Sequence, residues 1–218
     1  TDFHFLMNCS TGQIESYYYK DQLLMKQGPV PNIGRATLDN DKTKYVNLLE
    51  YLTLDDTPTV SKTKDGCFLI TARFSSSYRV DAATKLPGTI EMQYMIENNG
   101  AITVRMQLDF TKTLLKNFIK VGTTLSLAKG TENITWYGNG DAESYCDRQT
   151  FTRKGVYHST VSDMYYPFAM PQDCGNLTGV KWMQIQNQTT GIGMLICGNE
   201  ELNTSALHFT AEQLYNAK

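Results

Sequence analysis

The chain has 218 residues, 41% of them hydrophobic, and a formal net charge of −2 at pH 7. That apolar content supports a core and excludes a disordered chain. The near-neutral balance, without a basic block, speaks against a nucleic-acid partner, and no apolar run reaches the ~20 residues of a membrane-spanning helix. The length suits one β-rich domain or at most two small ones.

Phe3 to Met7 and Gln13 to Tyr19 read as two strands about a turn at Asn8 to Gly12. The opening Thr1-Asp2-Phe3 lacks the basic and apolar segments of a signal peptide. A start without methionine, inside a strand-like run, suggests an excised or processed chain. Leu23 to Met25 predicts a short strand that ends at Gly28-Pro29, because proline has no amide to give a central ladder. Residues 29 to 41 predict an irregular loop, with Asp39-Asn40-Asp41 as a helix cap or loop brace. A helix is expected from Lys42 to about Tyr51, where Tyr45, Leu48, Leu49 and Leu52 fall at helical spacing; Asp55-Asp56-Thr57-Pro58 ends it.

From Lys62 onward the pattern is β. Cys67 to Phe74 is a strand. Thr89 to Glu97 and Ala101 to Phe110 alternate with period two around Asn98-Asn99-Gly100, the clearest hairpin in the chain. Further strands are expected at Thr123 to Leu127, Ile134 to Trp136, Lys181 to Asn187, Gly191 to Cys197 and Ala206 to Phe209. Thr210 is the expected N-cap of a short final helix. Many strands and few helices predict an all-β chain of stacked antiparallel sheets with one or two short helices. No repeat or linker interrupts it.

The five cysteines (9, 67, 146, 174 and 197) are odd in number and unclustered, so neither a disulfide framework nor a zinc site follows. His4, His158 and His208 are scattered without metal-ligand spacing. Asn-x-Ser/Thr triplets at Asn8, Asn133, Asn176, Asn187 and Asn203 matter only in a glycosylating pathway.

The densest stretch runs from Asn133 to Asn176 and is expected to be an irregular loop. It opens with Trp136-Tyr137-Gly138-Asn139-Gly140-Asp141, continues with Glu143-Ser144-Tyr145-Cys146-Asp147-Arg148, and reaches Asp163-Met164-Tyr165-Tyr166-Pro167 and Pro171-Gln172-Asp173-Cys174-Gly175-Asn176. Glu143 and Asp147 are either paired carboxylates or members of an ion-paired turn. Trp136, Tyr137, Tyr145, Tyr165, Tyr166 and Trp182 either face a sugar or pack a core.

These motifs resemble the C-terminal domain of the β-galactosidases of glycoside hydrolase family 2, whose pattern is Trp-x-Gly-x-Gly-Pro-x-Glu-x-Tyr-x-Asp-Arg. Asp141 stands at the proline. Two further ordered matches extend the resemblance to nearly the whole chain: Arg35-Ala36 with Asp39-Asn40-Asp41, and Ser205-Ala206-Leu207-His208-Phe209-Thr210. The resemblance implies a β-supersandwich of the galactose-mutarotase-like type. It implies a parent that hydrolyses terminal β-D-galactosides with retention, through glutamates in a barrel outside this chain. It also implies no catalytic residue and no cofactor here, magnesium and sodium being used by other domains. The implied partners are a β-galactoside or galactose reached through the parent, other domains of the same polypeptide, and further copies in a homo-oligomer, in a bacterial cytoplasm or periplasm. The family's Gly-Gly-Asp-x-Ser-Trp-like segment falls beyond Lys218, so a C-terminally truncated single domain is expected. Trp136, Glu143, Arg148, Tyr165, Tyr166 and His208 are the candidate substrate-binding residues. A carbohydrate-binding module and a free-standing epimerase using a His and a Glu as acid and base stay open.

Overall fold

The computed structural model describes residues 2–41, 48–77, 88–111 and 118–217. Most of the helix expected from Lys42 lies outside them, and its last part, Leu48–Tyr51, is a single 3-10 turn. The chain is all-β as expected, with three antiparallel sheets and one short helix among the described residues. It divides into two compact units, Thr1–Gly34 with Val46–Leu127, and Arg35–Tyr45 with Ala128–Lys218.

The first unit carries β1 (Phe3–Asn8), β2 (Gln13–Tyr19), β3 (Gln22–Ile33), β4 (Leu52–Leu54), β5 (Thr59–Lys62), β6 (Phe68–Ser76), β7 (Thr89–Ile96), β8 (Ile102–Asp109) and β9 (Val121–Leu127). One sheet runs β1-β2-β3-β9; the other runs β4-β6-β7-β8, with β5 also on β6. The β7–β8 hairpin forms as its alternation dictates, with Ile90, Met92, Tyr94 and Ile96 all buried on one face. Gly100 turns it at φ +93°. Two phenols tie the sheets together. Tyr94 Oη donates to the Pro29 carbonyl at 2.8 Å, and Tyr17 Oη to the Gly100 carbonyl at 2.8 Å. Burial raises the pKa of both tyrosines above the ordinary value.

β3 corrects the sequence reading, since it continues through Pro29 and Pro31 to Ile33. Its pairing with β2 ends at Met25, while its pairing with β9 runs from Met25 to Ile33. Among the described residues it therefore has one ladder partner beyond Met25, and amides on the other side are positions where a proline removes no ladder hydrogen bond. Register shifts around Gln27 absorb the irregularity. Gly28 is needed there, because a Cβ would meet Ile14 Cβ at 2.5 Å. The short edge strands β4 and β5 escaped prediction. β5 is exposed at all four positions, so it shows no burial alternation to read.

The second unit carries β10 (Thr131–Asn139), β11 (Lys154–Thr160), β12 (Leu177–Asn187), β13 (Gly193–Thr204) and α1 (Ala211–Asn216), with sheet order β11-β10-β12-β13. The strand expected at Ile134 to Trp136 forms and is longer, Thr131–Asn139, so the stretch read as irregular from Asn133 becomes loop only after Asn139; β11, whose apolar residues are Val156 and Tyr157 alone, was not expected. The strand expected at Ala206 to Phe209 is absent: β13 ends at Thr204, and the next residues lead into α1. The Thr210 cap forms as predicted. Its hydroxyl accepts from Gln213 N at 3.1 Å, and Gln213 Oε1 accepts from Thr210 N at 2.9 Å. Asp41 acts as a loop brace, gripping Arg35 at 2.6 and 3.3 Å and accepting from Leu38 N at 2.7 Å.

Replacing Gly28 by alanine is expected to destabilise the protein by about 1–3 kcal/mol, through overpacking against Ile14. Pro29→Ala, at a half-buried position, is expected to change stability by less than about 1 kcal/mol. Equilibrium urea unfolding of both variants checks the contrast.

Candidate functional site

Period two fixes the first placement. Trp136 is paired with Tyr157 and Met183 in adjacent strands, so its side chain shares their inward face. It is fully buried, 5.8 Å from the Tyr157 ring, and leaves no ring face open to a sugar. Its Nε1 is buried with no hydrogen-bond partner among the described residues.

Past Asn139 the chain leaves the sheet and is clasped back onto β12 by buried polar groups. Ser144 is 0% exposed. Its amide donates to the Asn176 carbonyl at 2.7 Å, and Asn176 Nδ2 donates to its carbonyl at 2.7 Å. Its Oγ lies 2.9 Å from Thr178 Oγ1 and accepts from Thr178 N at 3.1 Å. Each of these groups would cost on the order of 1–3 kcal/mol if left unpaired.

Glu143 sits beside this clasp. One carboxylate oxygen is ion-paired with Arg148, and the other accepts from Gly175 N at 2.9 Å. Gly175 holds φ +67°, and a Cβ there would meet the Met164 carbonyl oxygen at 2.6 Å, so glycine is required. Arg148 lies over the Tyr145 ring at 5.5 Å, and the two residues exchange backbone hydrogen bonds across a tight turn. Tyr145 Oη donates to Asp173 at 3.3 Å. Burial, reinforced by Asp173 and Glu143, pushes the Tyr145 phenol pKa well above the ordinary value; burial likewise raises that of the Cys174 thiol.

These loops enclose an open depression of about 470 Å³, lined by Glu143, Arg148, Phe151, Asp163, Tyr166 and Phe168 among others. Phe151 and Tyr166 are 58% and 57% exposed at its rim. Three predicted site residues therefore meet here: Glu143, Arg148 and Tyr166. Tyr165 is half-buried against Phe209, with ring centroids 5.1 Å apart. His208 belongs to another cluster, its Nε2 lying 3.1 Å from Glu132 Oε2 and 3.2 Å from Ser162 Oγ. Both partners reach the same nitrogen, so they compete for it and form no relay of the Ser-His-carboxylate kind. Glu132 also accepts from Ser162 N at 2.8 Å. Partial burial opposes its ionisation, yet the Ser162 and His208 contacts prevail and lower its pKa.

Asp147, read as a possible carboxylate partner of Glu143, is not among the depression's lining residues. Among the described residues no three His, Cys, Asp or Glu side chains form a group fit for a metal ion, and all five cysteines are free. Sequence reasoning missed Phe151, which had no motif around it, and the Ser144–Thr178 clasp. Small hydroxyls beside a strand start were the one available signal.

The whole chain, residues 1–218, matches the family model described as beta galactosidase small chain. β-Galactosidases of Priestia megaterium (strain DSM 319 / IMG 1521), Halalkalibacterium halodurans and Streptococcus thermophilus are 27%, 28% and 26% identical to it over 98%, 99% and 100% of its length. The match covers 20%, 22% and 21% of those proteins, so the chain spans about a fifth of the curated relatives it matches.

Ser144→Ala is expected to destabilise the second unit by about 1–3 kcal/mol, because Thr178 N and Oγ1 lose a buried partner; thermal unfolding measures it. Tyr145 binds its proton more tightly folded than unfolded. Its contribution is intact below the unfolded tyrosine value of about 10 and is lost as pH rises beyond it. Tyr145→Phe is therefore expected to flatten the fall of urea-measured stability between about pH 9 and 11.

Proposed function

The chain belongs to the β-galactosidase small-chain family, and from that premise we propose that it is one part of an enzyme that hydrolyses terminal β-D-galactosides. In this reading the reacting carboxylates lie outside these 218 residues, and the present part braces and closes the assembled enzyme. The supersandwich type implied by the sequence resemblance belongs to the same reading.

The observation that carries it is the state of Glu143. Glycoside hydrolysis needs two carboxyl groups free to face the scissile bond. Glu143 is the one carboxylate of the Glu143/Asp147 pair that lines the depression, and both of its oxygens are already engaged, by Arg148 and by Gly175 N. Such a group shapes a loop. Relatives named β-galactosidase that are five times longer leave ample chain for the chemistry elsewhere.

A second reading, sugar binding at the depression, draws support from Phe151 and Tyr166, exposed aromatics that line it together with Arg148. An epimerase has less support. It would need a histidine and a carboxylate converging on one sugar, whereas His208 is taken up by Glu132 and Ser162.

Deleting residues 1–218 from the complete enzyme is expected to abolish hydrolysis of a chromogenic β-galactoside. Glu143→Gln in the same enzyme is expected to keep kcat within about tenfold, since removing a reacting acid or base costs about 10²–10⁴-fold. A thousandfold loss with the fold intact would overturn the bracing role.

A further inference from the structure

The depression of the second unit is lined on its apolar side by Met164, Phe151, Tyr166 and Phe168. Met164 is buried, whereas Phe151 and Tyr166 are each more than half exposed. The Tyr166 and Phe168 rings lie 4.5 Å apart and tilted by 54°, so together they form a corner. Exposed rings keep apolar carbon in water, a cost that a ligand covering them removes.

The charge around these rings is one-sided. Asp141, Glu143 and Asp163 line the depression against a single guanidinium, that of Arg148. Arg148 is already engaged, being ion-paired with Glu143 and laid over the Tyr145 ring at 5.5 Å. It therefore neutralises one carboxylate and leaves two. Asp163 accepts from a neutral partner, the Thr160 hydroxyl, at 2.7 Å. Neither Asp141 nor Asp163 is ion-paired among the described residues.

A ligand here has to satisfy the rings and the surplus negative charge together. A neutral sugar would draw two carboxylates out of water without compensating their charge. Calcium and magnesium ask for six or more oxygen ligands, and aromatic rings supply none. An organic cation meets both demands. Ring faces attract a cation within about 6 Å through their quadrupole, its carbons cover the rings, and its charge answers the carboxylates. The volume of about 470 Å³ lies within the ~300–1,000 Å³ of small-molecule sites. We propose that the depression binds a small alkylammonium cation, held by the charge of Asp141 and Asp163 and by the rings of Phe151 and Tyr166. This site goes beyond the sugar reading and is independent of the part the chain takes in hydrolysis.

Choline is the probe, and neohexanol is its uncharged isostere, with carbon in place of the ammonium nitrogen. In the complete protein purified from its source cells, saturation-transfer titrations are expected to show choline binding at least about fivefold tighter than neohexanol. Raising the salt from about 0.02 to 0.5 M is expected to weaken choline binding and leave that of neohexanol unchanged. Asp141→Asn and Phe151→Leu alter exposed positions, so each is expected to keep the Tm of the complete protein and to weaken choline binding at least about threefold. No saturation transfer to choline, equal binding of neohexanol, or choline binding that both substitutions leave unchanged would overturn the assignment. Galactose binding weakened by the same two substitutions, with choline unbound, would give the depression to a sugar and overturn it as well.

Discussion

The second unit depends on one buried serine. Ser144 makes four hydrogen bonds to Asn176 and Thr178, two through its backbone and two through its hydroxyl. Thr178 lies at the start of β12, so the clasp ties the loop after β10 to the neighbouring strand. Without it the backbone amide and carbonyl of buried Ser144 would have to find partners elsewhere, and none is cheap in a dry interior. With it, the Glu143 carboxylate is delivered to Gly175 N and Arg148, and Arg148 is laid over Tyr145. The depression between these loops is a consequence of that clasp.

This arrangement recasts what the charged residues do. Glu143, Arg148 and Asp173 look from their types like a hydrolase site, yet each is spent on local order. The pair Glu143–Arg148 has one end half open to water, which limits its worth to about a kcal/mol or so; its role is to set a shape.

The fold was legible where a single periodicity governed. The β7–β8 hairpin reads directly from its alternation and its Asn-Asn-Gly turn, and α1 from the Thr210–Gln213 capping pair. It was illegible where tertiary context overrode local rules. β3 passes through two prolines because its partner on one side has ended, a fact about β2 that β3's residues do not carry. β11 is legible only as the neighbour of β10. Ala206 to Phe209 has the right residues for a strand, but β13 has ended before it and the chain turns toward α1. The site was legible as a region and illegible in its facing. Trp136 and Tyr137 are adjacent aromatics of equal promise in sequence; strand geometry sends the first into the core and the second onto the open face, beside Trp182.

If this chain works as part of a β-galactosidase, the two must be removed together. An antibody raised against residues 1–218 is used to clear a lysate of the source cells, and hydrolysis of a β-galactoside is measured before and after. The activity is expected to leave with the antibody, in a species several times heavier than 24.6 kDa. Activity that stays in the supernatant while this chain is removed would contradict it.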